Sequence, residues 1–145
     1  MKKTTLALVL LASITLQAQT VYTCVEIGAG DLVNNKVVQG WPITDSNYQV
    51  QLTLDFPLLE VIRYYTPTQE ITDVERYMTP PQDDPTDEPT IKYGVIRFKY
   101  APEARKSIKL DTVSGFMSTN FLIDKKTLNG KITKNHRIEY QCVQK

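Results

Sequence analysis

The residues of this 145-residue chain with the most constrained chemistry are its two cysteines, Cys24 near one end and Cys142 near the other. In an exported chain an even number of thiols argues for pairing, and two thiols allow one intramolecular link. Both sit in the same short pattern, Tyr22-Thr23-Cys24 and Tyr140-Gln141-Cys142, which in extended backbone places Tyr and Cys on one face. The expectation is two terminal strands, side by side or face to face, joined by Cys24–Cys142. A cross-link closing most of the chain into one loop stabilises by about 4–5 kcal/mol in the chain-entropy model.

The rest of the sequence is poor in groups that do chemistry. His136 is the single histidine, and it lies with Lys134, Asn135 and Arg137 in a polar stretch that reads as a solvated turn. No His, Cys, Asp and Glu spacing resembles a zinc site. Ser114 precedes Gly115, but Thr112 stands where a Gly-x-Ser-x-Gly elbow needs its first glycine, so that nucleophile motif is absent. Carboxylates that could meet in space are Asp55 with Glu60 and Asp111 with Asp124, the arrangement a carboxylate-dependent hydrolase would need. The run Asp83, Asp84, Asp87 and Glu88 lacks the Asp-x-Asp-x-Asp-Gly spacing of a dedicated calcium loop. The expectation is therefore a non-catalytic protein without cofactor or metal that acts by binding a protein partner, with a hydrolase as the alternative. The basic C-terminal region has few interleaved aromatics and no groove-reading motif, so nucleic acid is not expected as a partner.

Residues 1–18 have the layout of a cleavable signal peptide: Lys2 and Lys3, an apolar run from Leu6 to Leu16, then polar residues around Ala18. The run is about half the roughly 20 residues a membrane-spanning helix needs, so no transmembrane segment is expected and the protein should be periplasmic or secreted. Residues 19–145 then form a single β-rich domain. Its clearest strand is Tyr48 to Phe56, where apolar and polar residues alternate throughout, with further strands in Ile91 to Tyr100, Ser107 to Thr112, Asn120 to Asp124 and Arg137 to Val143. Turn signals separate them at Gly28-Ala29-Gly30-Asp31, Asn34-Asn35, Asp45-Ser46-Asn47, Ser114-Gly115 and Asn129-Gly130. Residues 57–65 fit either a strand or a buried helix. One short helix is expected after Thr66, with Thr66 as N-cap, Pro67 in the first turn, Gln69 closing a capping box and Ile71, Val74 and Met78 at helical spacing. Residues 79–90 are an acidic, proline-rich loop. The fold expected is mainly β, a single antiparallel barrel-like or sandwich domain with one short helix, closed by one disulfide.

Charge divides along the chain. Residues 21–90 hold twelve Asp and Glu against Lys36, Arg63 and Arg76, whereas residues 91–145 hold twelve Lys and Arg against Glu103, Asp111, Asp124 and Glu139. Acidic and basic strands paired in one sheet would explain this. The sharper possibility is a dipolar surface with a basic end around Lys125, Lys126, Lys131, Lys134 and Arg137.

The opening Tyr22-Thr23-Cys24, the segment Phe121-Leu122-Ile123-Asp124-Lys125-Lys126-Thr127-Leu128 and the closing Tyr140-Gln141-Cys142 resemble a pattern in small exported proteins of proteobacteria, which implies no activity. The cysteine layout and Ser114-Gly115-Phe116-Met117-Ser118 are also similar to periplasmic inhibitors of C-type lysozyme, small β-barrels whose Ser-Gly loop enters the lysozyme cleft. That resemblance implies a partner-binding loop of Ser114 and Gly115 with a following lysine, Lys125 or Lys126. Here Ser118 stands in place of the family's loop tyrosine and Phe121 in place of its tryptophan.

Overall fold

The computed structural model describes residues 19–42, 47–55, 57–79 and 90–145. The expected signal peptide over 1–18, the turn at Asp45-Ser46, Phe56 and residues 80–89 of the acidic loop lie outside the described residues. The described chain forms nine strands: β1 (Thr20–Val33), β2 (Lys36–Pro42), β3 (Tyr48–Asp55), β4 (Leu58–Tyr65), β5 (Glu70–Met78), β6 (Ile91–Arg97), β7 (Ala104–Asp111), β8 (Phe116–Thr127) and β9 (Gly130–Gln144). They make one antiparallel sheet in the order β2-β1-β3-β4-β5-β6-β7-β8-β9, and β9 pairs back onto β1, so the sheet curls into a ring.

Strand β1 joins the ring to an extension. Its first half, Thr20 to Val25, pairs with β3, and its second half, Gly28 to Val33, pairs with β2. A register shift between Glu26 and Gly28 separates the halves, and β9 runs along the other side of both. The second half of β1, with β2 on one side and β9 and β8 on the other, therefore projects past β3 as a four-stranded wing. Gly28-Ala29-Gly30-Asp31, expected as a turn, is the middle of this long strand. Gly30 lies directly opposite Gly40 of β2, and a Cβ on Gly30 would come within 3.2 Å of the Gln39 carbonyl oxygen. The glycines here serve close strand approach rather than chain reversal.

The hairpin signals at Asn34-Asn35 and Asn129-Gly130 hold. Asn34 and Asn35 both have positive φ (49° and 63°) between the paired Val33 and Lys36, the backbone a two-residue primed turn requires. Leu128 and Asn129 connect the paired Thr127 and Gly130, and there the positive φ falls on Gly130 (120°).

The stretch after Thr66 is strand β5, not the expected helix. The Thr66–Gln69 signal is used by a tight turn: the Gln69 side chain donates to the Thr66 carbonyl at 2.9 Å, and Gln69 has φ of 57°, which turns the chain back from β4 into β5. With the reversal made there, Ile71, Val74 and Met78 are exposed, while Glu75 and Tyr77 point inward at strand spacing. Residues 57–65, which fit two readings, form β4 and pair with β3 over their whole length.

The ring is thin at one place. Strands β5 and β6 share a single pairing, Met78 with Val95, whereas every other neighbouring pair is joined by six or more. Below this seam the interior is packed by Tyr22, Leu52, Leu59, Tyr77, Ile108, Leu110 and Met117, with Cys24 and Cys142 among them. Gly94 of β6 is pressed onto this core: a Cβ there would stand 2.7 Å from the Tyr77 Cβ. Among the described residues no helix is long and apolar enough to cross a membrane.

Cys24 and Cys142 face each other across β1 and β9 and form the expected disulfide, both buried, over a sequence separation of 118. Replacing both by serine should lower the unfolding free energy by about 4 kcal/mol. Urea denaturation of the oxidised parent and the double variant measures this, and equal midpoints would show that the link contributes nothing.

Candidate functional site

Above the packed half the ring interior changes character because charged residues continue the apolar alternation of the strands. In β4 the inward series runs Leu59, Val61, Arg63; in β7 it runs Leu110, Ile108, Lys106; in β1 it runs Tyr22, Cys24, Glu26. Period-two geometry carries these side chains to the same face as their buried neighbours. They meet around a cavity of about 280 Å³ that opens beside the seam and is lined by Arg63, Asp73, Glu75, Tyr77, Lys106 and Tyr140 with apolar Val50, Val61, Phe121 and Ile138.

Two ion pairs brace opposite walls. Arg63 donates to Glu26 and lies 3.5 Å from the Tyr140 hydroxyl. Lys106 and the Tyr77 hydroxyl both donate to Glu75. Burial pushes the Glu75 carboxyl up, but hydrogen bonds from Lys106 and Tyr77 and the Lys106 charge outweigh it, so the group stays below the usual carboxylate range and ionised. Burial, together with the Glu75 carboxylate, holds Tyr77 protonated. Tyr140 is also pushed up by burial, against the opposing pull of Arg63. The cavity thus presents fixed charges and two protonated phenols, of which Tyr77 already donates its hydrogen to Glu75. Beyond Val50 and Arg63 on the same face come Tyr48 and Tyr65, with ring centres 5.6 Å apart and the Arg63 guanidinium 5.5 Å from the Tyr48 ring. On the opposite wall Phe98 stands edge-on to Phe121.

His136 belongs to this surface rather than to a solvated turn. It lies within β9, opposite Asp31 of β1, with Nδ1 2.7 Å from Asp31 Oδ1.

The structure separates the residues that the sequence grouped into a partner-binding loop. Ser114 and Gly115 lie in the turn from β7 to β8, and Lys125 and Lys126 lie at the far end of β8, about 30 Å away at strand rise. Both oxygens of Ser114 are engaged within the fold: Oγ accepts from the Phe116 amide at 3.2 Å and the carbonyl accepts from the Gln141 side chain at 2.9 Å. Gly115 has φ of +73°, and its carbonyl accepts from the Cys142 amide at 2.8 Å. The turn is a buttress against β9 beside the disulfide.

The suggested carboxylate pairs do not form sites either. Asp111 caps the β7–β8 turn by accepting from the amides of Val113 and Ser114, which lowers its pKa. Asp124 sits on β8 far from it and takes Lys131, Thr133 and Arg105. Glu60 pairs with Arg76 outside the ring, and Asp55 accepts from Gln19. Among the described residues no group of three or more His, Cys, Asp and Glu side chains is placed to hold a metal ion.

No family model, curated protein or solved structure matches the chain. The cavity must therefore be judged on its own chemistry. Its charged residues were not singled out in the sequence, although a signal exists: each extends a run of inward apolar residues by one more step of two.

Two predictions follow from these geometries. Glu75 has a depressed folded pKa, so the stability it contributes is complete well above its unfolded value of 4.5 and is lost as pH falls through the folded value. Thermal midpoints should drop on acidification through that window, and Lys106→Met should make the drop shallower; an unchanged slope would remove Glu75–Lys106 as its source. Gly115→Ala would place a Cβ 2.2 Å from the Cys142 carbonyl oxygen in a left-handed backbone, and should cost about 3 kcal/mol or more by urea denaturation.

Proposed function

We propose that this is an exported, non-catalytic binding protein whose barrel-like ring receives a compact polar group in its open upper half. The observation that carries the reading is the charged cavity itself. Ion-paired Arg63, Glu75 and Lys106 and the hydroxyls of Tyr77 and Tyr140 converge on about 280 Å³ of space directly above a close-packed core.

Placing such groups at interior positions has a desolvation cost that packed apolar residues would avoid, so their convergence favours recognition over stability. The size is near the lower end for small-molecule pockets, and the lining mixes apolar walls with a few oriented polar groups, as binding sites do. Supporting a binding role over turnover, the carboxylate and phenol of the Glu75–Tyr77–Lys106 set are locked in the protonation states they would keep at neutral pH, whereas a general acid or base works best with a pKa near the working pH. The occupant could be a free small molecule or one polar side chain of a protein partner. In either case the oxidised ring supplies a preformed site, which limits the ordering entropy lost on binding.

Thermal denaturation of the oxidised protein in the presence of free amino acids, small sugars, dicarboxylates and polyamines tests this. At least one compact polar compound should raise the midpoint of the parent and leave that of Lys106→Met unchanged. If none does, or if every active compound stabilises parent and variant equally, the cavity is not the binding site.

A further inference from the structure

The wing ends in two adjacent hairpin turns, Asn34-Asn35 and Leu128-Asn129. Asn34 ties the first turn to β9: its amide donates to the Thr133 carbonyl at 2.8 Å and its side-chain oxygen accepts from the Thr133 amide at 3.0 Å, so the β8–β9 turn reaches three residues farther out. Around this end stand Lys36, Lys125, Lys126, Lys131 and Lys134. No Asp or Glu occurs from Lys125 to Ile138 or from Leu32 to Pro42. The nearest carboxylate on β8, Asp124, is already engaged by Lys131 at 3.0 Å and by Arg105. Lys126 and Lys131 lie directly opposite each other in the β8–β9 ladder. Like charges in that position destabilise a sheet, and among the described ion pairs Asp124 offsets only the Lys131 charge within this cluster, so a net positive charge stays at the end of the wing.

The apex of the cluster is apolar: Leu128 is fully exposed at the tip of its turn. From the pairing register, Lys126 and Lys131 lie on one face of the wing, and Lys125 and Lys134 lie on the other. A partner resting on either face would meet only some of these charges. A surface met end-on by the tip would take Leu128 first and then meet Lys125, Lys126 and Lys131 from both faces, with Lys36 and Lys134 farther back.

We propose that the end of the wing docks onto an anionic lipid surface, with Leu128 entering the headgroup layer and the surrounding lysines contacting lipid phosphates. Basic residues bordering an exposed apolar tip combine the two attractions that hold interfacial elements on membranes. The chain as a whole is nearly neutral, so the attraction is local to this end and requires no excess of positive charge elsewhere. The site is separate from the ring cavity and stands or falls independently of it.

Co-sedimentation of the oxidised protein with vesicles of phosphatidylcholine containing phosphatidylglycerol, against vesicles of phosphatidylcholine alone, tests the proposal. Binding should occur with the anionic vesicles, disappear at high salt and weaken about thirtyfold in the double variant Lys125→Gln, Lys126→Gln. Leu128→Asp should weaken it further. None of these side chains is buried, and removing Lys126 relieves its repulsion with Lys131, so the thermal midpoints of the variants should match or exceed that of the parent. Equal binding to both vesicle types, no binding to either, or binding to anionic vesicles that the three substitutions leave intact would overturn the proposal. Preferential capture by heparin or DNA, with no vesicle binding, would replace the lipid with an anionic polymer.

Discussion

The pairing of the first strand with the last is the constraint on which the rest of the molecule depends. β9 pairs with β1 from Gln144 opposite Tyr22 to Lys134 opposite Val33, and the disulfide fixes that ladder at Cys24 and Cys142. A sheet strand has two sides, and the other side of β1 is shared between β3 and β2, with the register shift after Glu26 marking the handover. The ring and the wing are therefore two uses of one strand. Loss of β1–β9 pairing would open the ring and leave the wing as two separate hairpins.

Within the ring the two halves have opposite energetics. The lower half is a packed core whose residues gain from leaving water. The upper half places Arg63, Glu26, Lys106 and Glu75 at interior positions, where each ion must recover its lost hydration from a partner. Pairing does so without filling the space, which leaves a cavity whose walls are held by salt bridges and whose floor is held by the core. The single pairing between β5 and β6 lies on the same side as Glu75, so the weakest join of the ring borders its most polar contents. Beyond the backbone ladder of β1 and β9, charge pairing between the two halves of the sequence is sparse. Among the described Lys and Arg ion pairs only Lys106–Glu75 joins the acidic half to the basic half, His136 meets Asp31 through a hydrogen bond, and the basic end of β8 and β9 keeps its excess charge.

Alternation made the strand content readable. Tyr48 to Asp55 is a strand with its apolar members turned inward, and the matching Tyr-x-Cys patterns lie on inward faces with the disulfide between them. Reading failed where a short-range signal had more than one structural use. Thr66-Pro67-Thr68-Gln69 is compatible with a helix cap and with a hairpin turn, and the tertiary pairing of β5 with β4 decided between them. Gly28 to Asp31 has the composition of a turn, yet in a strand small residues also permit close approach, and only the presence of β2 reveals which applies. The cavity was hidden for a related reason. A charged residue ending an apolar alternation reads as the point where a strand leaves the core, and here Arg63, Lys106 and Glu26 remain inside it. His136 was obscured by its cationic neighbours in sequence, which project to different faces once β9 is extended.

The order in which the chain is made gives the β1–β9 ladder a further meaning. β1 leaves the ribosome first, and Cys142 follows Cys24 by 118 residues, a delay on the order of ten seconds at ordinary rates of synthesis. Through that interval one side of a fourteen-residue strand waits without its neighbour, and hairpins formed in between, such as β3–β4 and β7–β8, have no closed ring to join. A chain that cannot close its ring until β9 arrives keeps its earlier hairpins provisional until that ladder is made. With both thiols reserved for this step, the disulfide acts as a latch on the closed ring.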